Sequence, residues 1–196
     1  MEHFWHAFMP LFIAFDGVGL LPIFWALSRR LPAKERSQAA GEAAVTAGIV
    51  TLVFLLFSRP VFGLMGLQLA DIIVAGGAIL LVLSLRDLLL PGEVVEIPDV
   101  RLGVVPIGVP LLAGPAVWTI AILLRERYGW VTTMAALALN VVLVWILLRA
   151  ADSVMQKLGR DGAQVVSKIM SLVLTAFGVM LIREGLSAMQ HGTWPL

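Results

Sequence analysis

The stretch "FIAFDGVGLLPIF" at residues 12–24 sets one carboxylate, Asp16, beside two glycines and a proline in an otherwise apolar run. A charged side chain at such a place costs about 2.5–3.5 kcal/mol on insertion scales, and carboxylates that persist there normally mark the path of a solute, ion or proton. Two chemistries fit Asp16. As a ligand it would hold an ammonium group or a coupling H⁺ or Na⁺. As a cap it would accept hydrogen bonds from the N–H groups of Val18 or Gly19, freed where glycine and proline interrupt the helix.

A second interrupted run, "VPIGVPLLAGPA", occupies 105–116. A helix broken inside a bilayer exposes backbone N–H and C=O groups that protein, water or a solute must satisfy. The N-terminus of each restarted half-helix then offers N–H groups and a positive dipole end to an anion. Proline is favoured in a first turn, where its missing N–H costs nothing. The restarts are therefore expected near Leu21-Pro22 and Pro115-Ala116. A solute site at these breaks would draw on Asp16, Gly17, Gly19, Pro22, Pro110, Gly114 and Pro115. Asn140, alone among apolar residues of a later segment, either joins that site or ties two helices together.

Other polar residues carry less. Thr119, Ser84, Ser171 and Thr175 are expected to bond carbonyls of their own helices, and Gly76-Gly77 to let two helices approach closely. Asp71 and Glu42 fall near segment ends. His3 and His6 are spaced for a metal but lack a third ligand, so no metal site is expected. All three histidines lie near the termini, and there is neither an HExxH nor a GxSxG motif, nor a Walker loop. An enzyme and an ATP-driven motor are both disfavoured.

The elements that must position these residues follow from composition. Of 196 residues, 60% are hydrophobic and 14% charged, against roughly 45–50% and about 25% in ordinary globular domains. The formal charge of +1 gives no nucleic-acid footprint, and the absence of cysteine excludes disulfides and thiolate chemistry. Apolar runs near the length of about 20 residues needed to cross a bilayer fall at 4–28, 41–58, 65–86, 104–124, 131–149 and 166–187. The expected fold is all-α: one transmembrane domain over 1–196, with six helices, of which the first and fourth are discontinuous.

"GVGLL" at 17–21 and "GVPLL" at 108–112 recur in the first and fourth spans. With three spans in each half, 1–91 and 100–196, such a repeat is inverted. Alternate joints hold Arg29, Arg30, Lys34, Arg36, Arg86, Arg101, Arg149, Lys157, Arg160 and Lys168, against Arg59, Arg125, Arg127 and Arg183 on the other side. Positively charged loops stay cytoplasmic, which puts both termini outside the cytoplasm. Trp5, Trp130 and Trp194 fall at the outer ends and Trp25 and Trp145 at the inner ends.

With these motifs in hand, the chain resembles the MarC family of six-span inner-membrane proteins over nearly its full length. The resemblance rests on "FIAFDGVGLLPIFWALSRRLPAKER" at 12–36, "IIVAGGAILLVLSLRDLL" at 72–89 and "VPIGVPLLAGPA" at 105–116. The family's first motif reads Asp-Pro-hydrophobic-Gly-Asn-Leu-Pro. Here Asp16, Gly19 and Pro22 match it, while Gly17 and Leu20 stand in place of the proline and the asparagine. The second motif, Pro-Leu-hydrophobic-Ala-Gly-Pro-Gly, is present from Pro110 to Pro115, followed by Ala116. The resemblance implies a small secondary transporter or exporter in the cell inner membrane, with neutral amino acids as substrates of some members. Leu20 lacks the amide of the motif, which leaves a neutral amino acid and a more apolar solute as alternatives.

The expected partners are a small-molecule solute and the lipid bilayer, with no nucleic acid, and a homodimer is compatible with so small a bundle. The competing expectation is a non-transporting membrane scaffold or envelope-interaction protein, in which both breaks serve packing alone.

Overall fold

A backbone surrounded by hydrocarbon must satisfy its own polar groups, and all regular structure among the described residues is helical. The computed structural model describes residues 2–29, 31–89 and 103–191; Arg30, Arg101 and Trp194, used above for orientation, lie outside them. The helices are α1 (Glu2–Phe15), α2 (Leu21–Ser28), α3 (Ala33–Met65), α4 (Leu69–Leu89), a π-helical segment Gly103–Leu112, α5 (Pro115–Arg149) and α6 (Ala151–His191).

Four stretches among the described residues are long and apolar enough to cross a membrane: Ala33–Ser58, Leu69–Leu89, Pro115–Arg149 and Gln164–Gln190. Six were expected, and the difference has local causes. The first expected crossing is divided by a turn at 16–20 into α1, of 14 residues, and α2, of 8. Neither piece alone reaches the length a crossing needs. The fourth begins as the π-helical segment, where the Ala113 N–H reaches back five residues to the Gly108 carbonyl at 2.9 Å. It then continues in α5, which turns at Gly129 (φ 79°, ψ 172°) and runs on through the fifth. Gly159 (φ 67°) bends α6 in the same way, and such positive φ values come cheaply only to glycine.

α4 and α6 run antiparallel and meet backbone to backbone. A Cβ added to Gly77 would lie 2.9 Å from the Gly178 carbonyl oxygen and from the Ile182 nitrogen. One added to Gly178 would lie 2.9 Å from the Gly77 carbonyl oxygen and the Leu81 nitrogen. Small residues are what allow this approach, because packing rather than hydrophobicity holds helices together in lipid. To one side of the crossing Gly185 abuts Val74 and the Ala70 carbonyl. To the other, the Thr175 hydroxyl bonds Ser84 Oγ at 3.0 Å. Beyond it, Lys168 Nζ donates to the carbonyls of Asp87 and Leu88, each at 2.6 Å, and so caps the end of α4.

α3 is lined successively by the π-helical segment and by both arms of α5. Gly103 rests on Ala39 and Glu42, and Gly108 on Thr46. Phe54 stacks on Trp118 with ring centroids 4.6 Å apart, and Arg125 donates to the Leu55 carbonyl at 2.6 Å. On the later arm, 130–149, Val141 fits against Gly48 and Trp145 against Gly41. That arm also carries α1, while the first arm lies on α4, where Gly76 leaves room for Thr119, and α2 lies on α6.

Charged groups gather at the ends. Arg36 of α3 donates to the carbonyls of Ser28 (3.2 Å), Arg29 (3.3 Å) and Leu31 (3.1 Å) and pairs with Asp152 of α6. One guanidinium thereby adds donors at the carbonyl end of α2 and the turn after it, where Ser28 also accepts the Leu31 N–H at 2.9 Å. Arg127 pairs with Glu184. Arg29 lies over Trp25 and Arg149 over Trp145, each at 5.6 Å, and Arg125 over Trp130 at 4.9 Å. Such amphipathic pairs suit a membrane–water boundary.

Because the α4–α6 crossing has no space for a branched side chain, Gly77→Val and Gly178→Val are each expected to destabilise the detergent-solubilised protein by about 1–3 kcal/mol or more. Ser84→Ala, which gives up one hydroxyl contact, should cost at most about 1 kcal/mol. Thermal unfolding followed by size-exclusion recovery checks the order.

Candidate functional site

At the first break the chain reverses through Asp16, whose φ is +45°. Few residues other than glycine adopt this left-handed conformation, and Asp and Asn tolerate it best. The turn then closes on itself. The Leu20 N–H donates to the Asp16 carbonyl (2.9 Å) and the Leu21 N–H to that of Val18 (3.2 Å). The Gly19 N–H donates to Asp16 Oδ1 at 3.1 Å. A Cβ on Gly19 would collide with both carboxylate oxygens, so glycine there is a condition of the cap. A Cβ on Gly17 would lie 3.1 Å from Val144 Cγ2 and 3.5 Å from Leu147 Cδ1, which holds the turn against α5. α2 starts at Leu21, with Pro22 in its first turn and no side-chain cap from Leu20. Asp87, near the end of α4, is close enough for its charge to act on Asp16.

The second break is built differently. The π-helical segment, which includes Pro110, ends at Leu112; Gly114 is extended (φ −92°, ψ 174°), and α5 restarts with Pro115 as its first residue. Gly114 occupies the cap position and has no side chain with which to cap. Its carbonyl accepts the Trp118 N–H at 3.3 Å. Thr119 donates to the carbonyls of Pro115 (2.9 Å) and Ile72 (3.4 Å). Its hydroxyl is thus spent on backbone, as are those of Ser84, Ser171 and Thr175.

Asn140 is fully buried. Its amide nitrogen donates to the Ala136 carbonyl of its own helix (2.9 Å) and to the Phe8 carbonyl of α1 (3.2 Å), while Oδ1 has no partner. The side chain therefore ties two helices and still keeps an acceptor free.

Asp16, Gly17, Gly19 and Pro22 share one turn, and Asn140 sits one helical turn from Val144, which Gly17 touches. Pro110, Gly114 and Pro115 lie on the side of α3 and α4. No hydrogen bond among the described residues joins the two breaks. They are nevertheless at similar depth. α1 runs parallel to the 130–149 arm, with Phe8 at Asn140 and Gly17 at Val144, so its N-terminus and Gly129 share one face. α1 has 14 residues before its break, and 115–128 places the same number after the other. At ~1.5 Å per residue both breaks lie roughly 21 Å from that face.

Three buried polar groups that sequence reasoning did not single out, Ser28 Oγ, Thr51 Oγ1 and Trp118 Nε1, also lack a partner. The available signals were a single threonine in the apolar run "IVTLVF" at 49–54 and a tryptophan one turn after Pro115.

The capping role of Asp16 can be measured apart from any ligand role. Asp16→Asn keeps both an acceptor and tolerance of the left-handed turn, and should unfold near the wild-type temperature. Asp16→Ala loses both and is expected to cost about 1–2 kcal/mol, read as a lower thermal midpoint in detergent.

The MarC family integral membrane protein model matches residues 1–190. The chain is 28% identical over 200 residues to the UPF0056 membrane protein MJ1677 of Methanocaldococcus jannaschii, covering 95% of this chain and 97% of the relative. It is 26% identical over 200 residues to the UPF0056 membrane protein YhcE of Escherichia coli, with coverage of 94% and 92%. No solved structure matches it. A family match across nearly the whole chain, together with its apolar helices, makes this protein a member of the MarC family of integral membrane proteins.

Proposed function

We propose that this protein is a secondary transporter of a small polar solute of the neutral amino-acid class. In this reading six crossings form two inverted halves, 1–91 and 100–196, in a cell inner membrane, with both termini outside the cytoplasm. Rocking of the halves exposes a site at the two helix breaks alternately to either face.

The observation that supports the reading is a set of contacts that have counterparts when the halves are exchanged. Gly77 meets Gly178 and Ile182, while Gly178 meets Gly77 and Leu81, so each residue's contact is returned by its counterpart. Gly17 and Gly108 open the matched pentapeptides, and each packs on the middle helix of the other half or of its own partner layer: Gly17 on Val144, Gly108 on Thr46. α2 lies on α6 as the first arm of α5 lies on α4. In this reading the contacts correspond to two layers of three segments with the broken ones in the middle. The exchange is approximate, since the first break has its longer arm before it and the second its longer arm after it.

Charge supports the solute class. The first break carries a carboxylate, and Asn140 adds a buried acceptor, which suits an ammonium group or a coupling H⁺ or Na⁺. The second break ends in an uncapped helix N-terminus, which suits a carboxylate. A zwitterion offers both.

Reconstituted into proteoliposomes, the protein is expected to take up L-alanine saturably and to accelerate exchange when unlabelled L-alanine is inside. Asp16→Asn, folded by the thermal criterion above, should lower that rate by about tenfold or more, the cost of one charge-assisted contact. Absence of uptake and exchange for wild type across neutral amino acids, under both H⁺ and Na⁺ gradients, would favour the scaffold reading. Linear flux insensitive to solute inside would indicate a pore.

A further inference from the structure

The start of α5 is a helix N-terminus buried in the core and left without a cap. Ala116 and Val117 are 8% and 1% exposed, and among the described residues no acceptor is paired with the N–H of either. Bare donors at such a place forfeit a hydrogen bond each unless something else supplies it.

Two further buried groups lie at about the same level. α3 runs alongside this part of the chain in the same direction, with Thr46 at Gly108 and Phe54 at Trp118. Between those two rungs, Thr51 comes level with Gly114. It lies one turn from Phe54 and one turn from Gly48, which faces Val141, so it points between the two arms of α5. The side chain is fully buried and its hydroxyl unpartnered, as is the indole N–H of Trp118 in the first turn of α5. Back-bonding to a carbonyl one turn earlier, used by Ser84, Thr119 and Thr175, would have been open to Thr51. Its hydroxyl is turned elsewhere.

We infer that Thr51 Oγ–H, Trp118 Nε1–H and the N–H groups of Ala116 and Val117 form a seat for a carboxylate, the anionic end of the solute. The inference rests on the transport reading for its biological sense and adds to it the two side chains that would recognise the substrate. A carboxylate suits the set. Its two oxygens accept from several donors at once, the set contains donors but no fixed anion, and the helix dipole favours negative charge. At the first break the Asp16 carboxylate accepts from the Gly19 N–H of the turn; the second break carries no carboxylate of its own.

Indole-¹⁵N-labelled full-length protein in nanodiscs tests this, with the Trp118 resonance identified by its loss in Trp118→Phe. Sodium acetate and L-alanine should each shift that resonance saturably, while L-alaninol, which has no carboxylate, should not. Thr51→Val preserves shape and should weaken L-alanine binding by about tenfold, as should Trp118→Phe, which keeps the stack on Phe54; Thr51→Ser should restore it. A Trp118 resonance that neither carboxylate moves, or that L-alaninol moves equally, overturns the seat, as does wild-type affinity in both variants. Saturable uptake with an unmoved Trp118 would refute the seat and leave transport standing. A carboxylate-dependent shift without any uptake would support the seat and remove transport.

Discussion

Every peptide N–H and C=O in hydrocarbon must find a partner within the protein, at a cost of several kcal/mol when it does not. This constraint makes the chain helical, and it makes each place where a helix stops the most expensive point in the molecule. The structure meets the cost differently at each such place. The carbonyl end of α2 is met by the Arg36 guanidinium and that of α4 by the Lys168 ammonium. At Gly129 and Gly159 the chain bends through conformations glycine can take.

Against that background the two interior breaks stand apart from each other. The first is self-contained: a left-handed Asp16 lends its carboxylate to the Gly19 N–H, and glycine at 19 makes room for it. The second is not. Gly114 offers no side-chain cap, and the buried polar atoms of Thr51 on α3 and Trp118 on α5 have no partner. Ser28, Thr51, Trp118 and Asn140 each keep a buried polar atom without a partner among the described residues, and under the proposed transport reading those near the second break are left for a polar solute. The close α4–α6 crossing at Gly77 and Gly178 is by contrast a dry contact held by small residues.

Much of this was legible in the residues. Proline's tolerance of a first turn located both restarts, since α2 begins at Leu21 and α5 at Pro115. The shared "GV-LL" pattern picked out Gly17 and Gly108, which turn out to make comparable close contacts, and the expectation that Gly77 serves close packing agrees with its place against Gly178. What could not be read was whatever depends on a partner far along the chain. Thr51 and Thr175 look alike in sequence; only the fold shows that one bonds its own helix and the other does not. Arg36 counts as one loop charge among many until its three carbonyls are seen. The π-helical course of 103–112 is likewise not set by residue spacing alone. The count of six expected spans differs from the four seen for a related reason, because the first apolar run is cut by the turn at 16–20 and two later runs form one helix through Gly129.

The central claim is that the two breaks line one path that water and solute reach from alternate faces. The chain contains no cysteine, so single cysteines at Val18 and at Ala113, the latter fully buried here, can report on that path without background. In membrane vesicles of defined sidedness, a membrane-impermeant maleimide is predicted to modify both positions, with L-alanine changing which face each is reached from. If both cysteines stay unreactive from either face in folded protein, with and without the solute, the breaks are sealed packing features and the account is wrong.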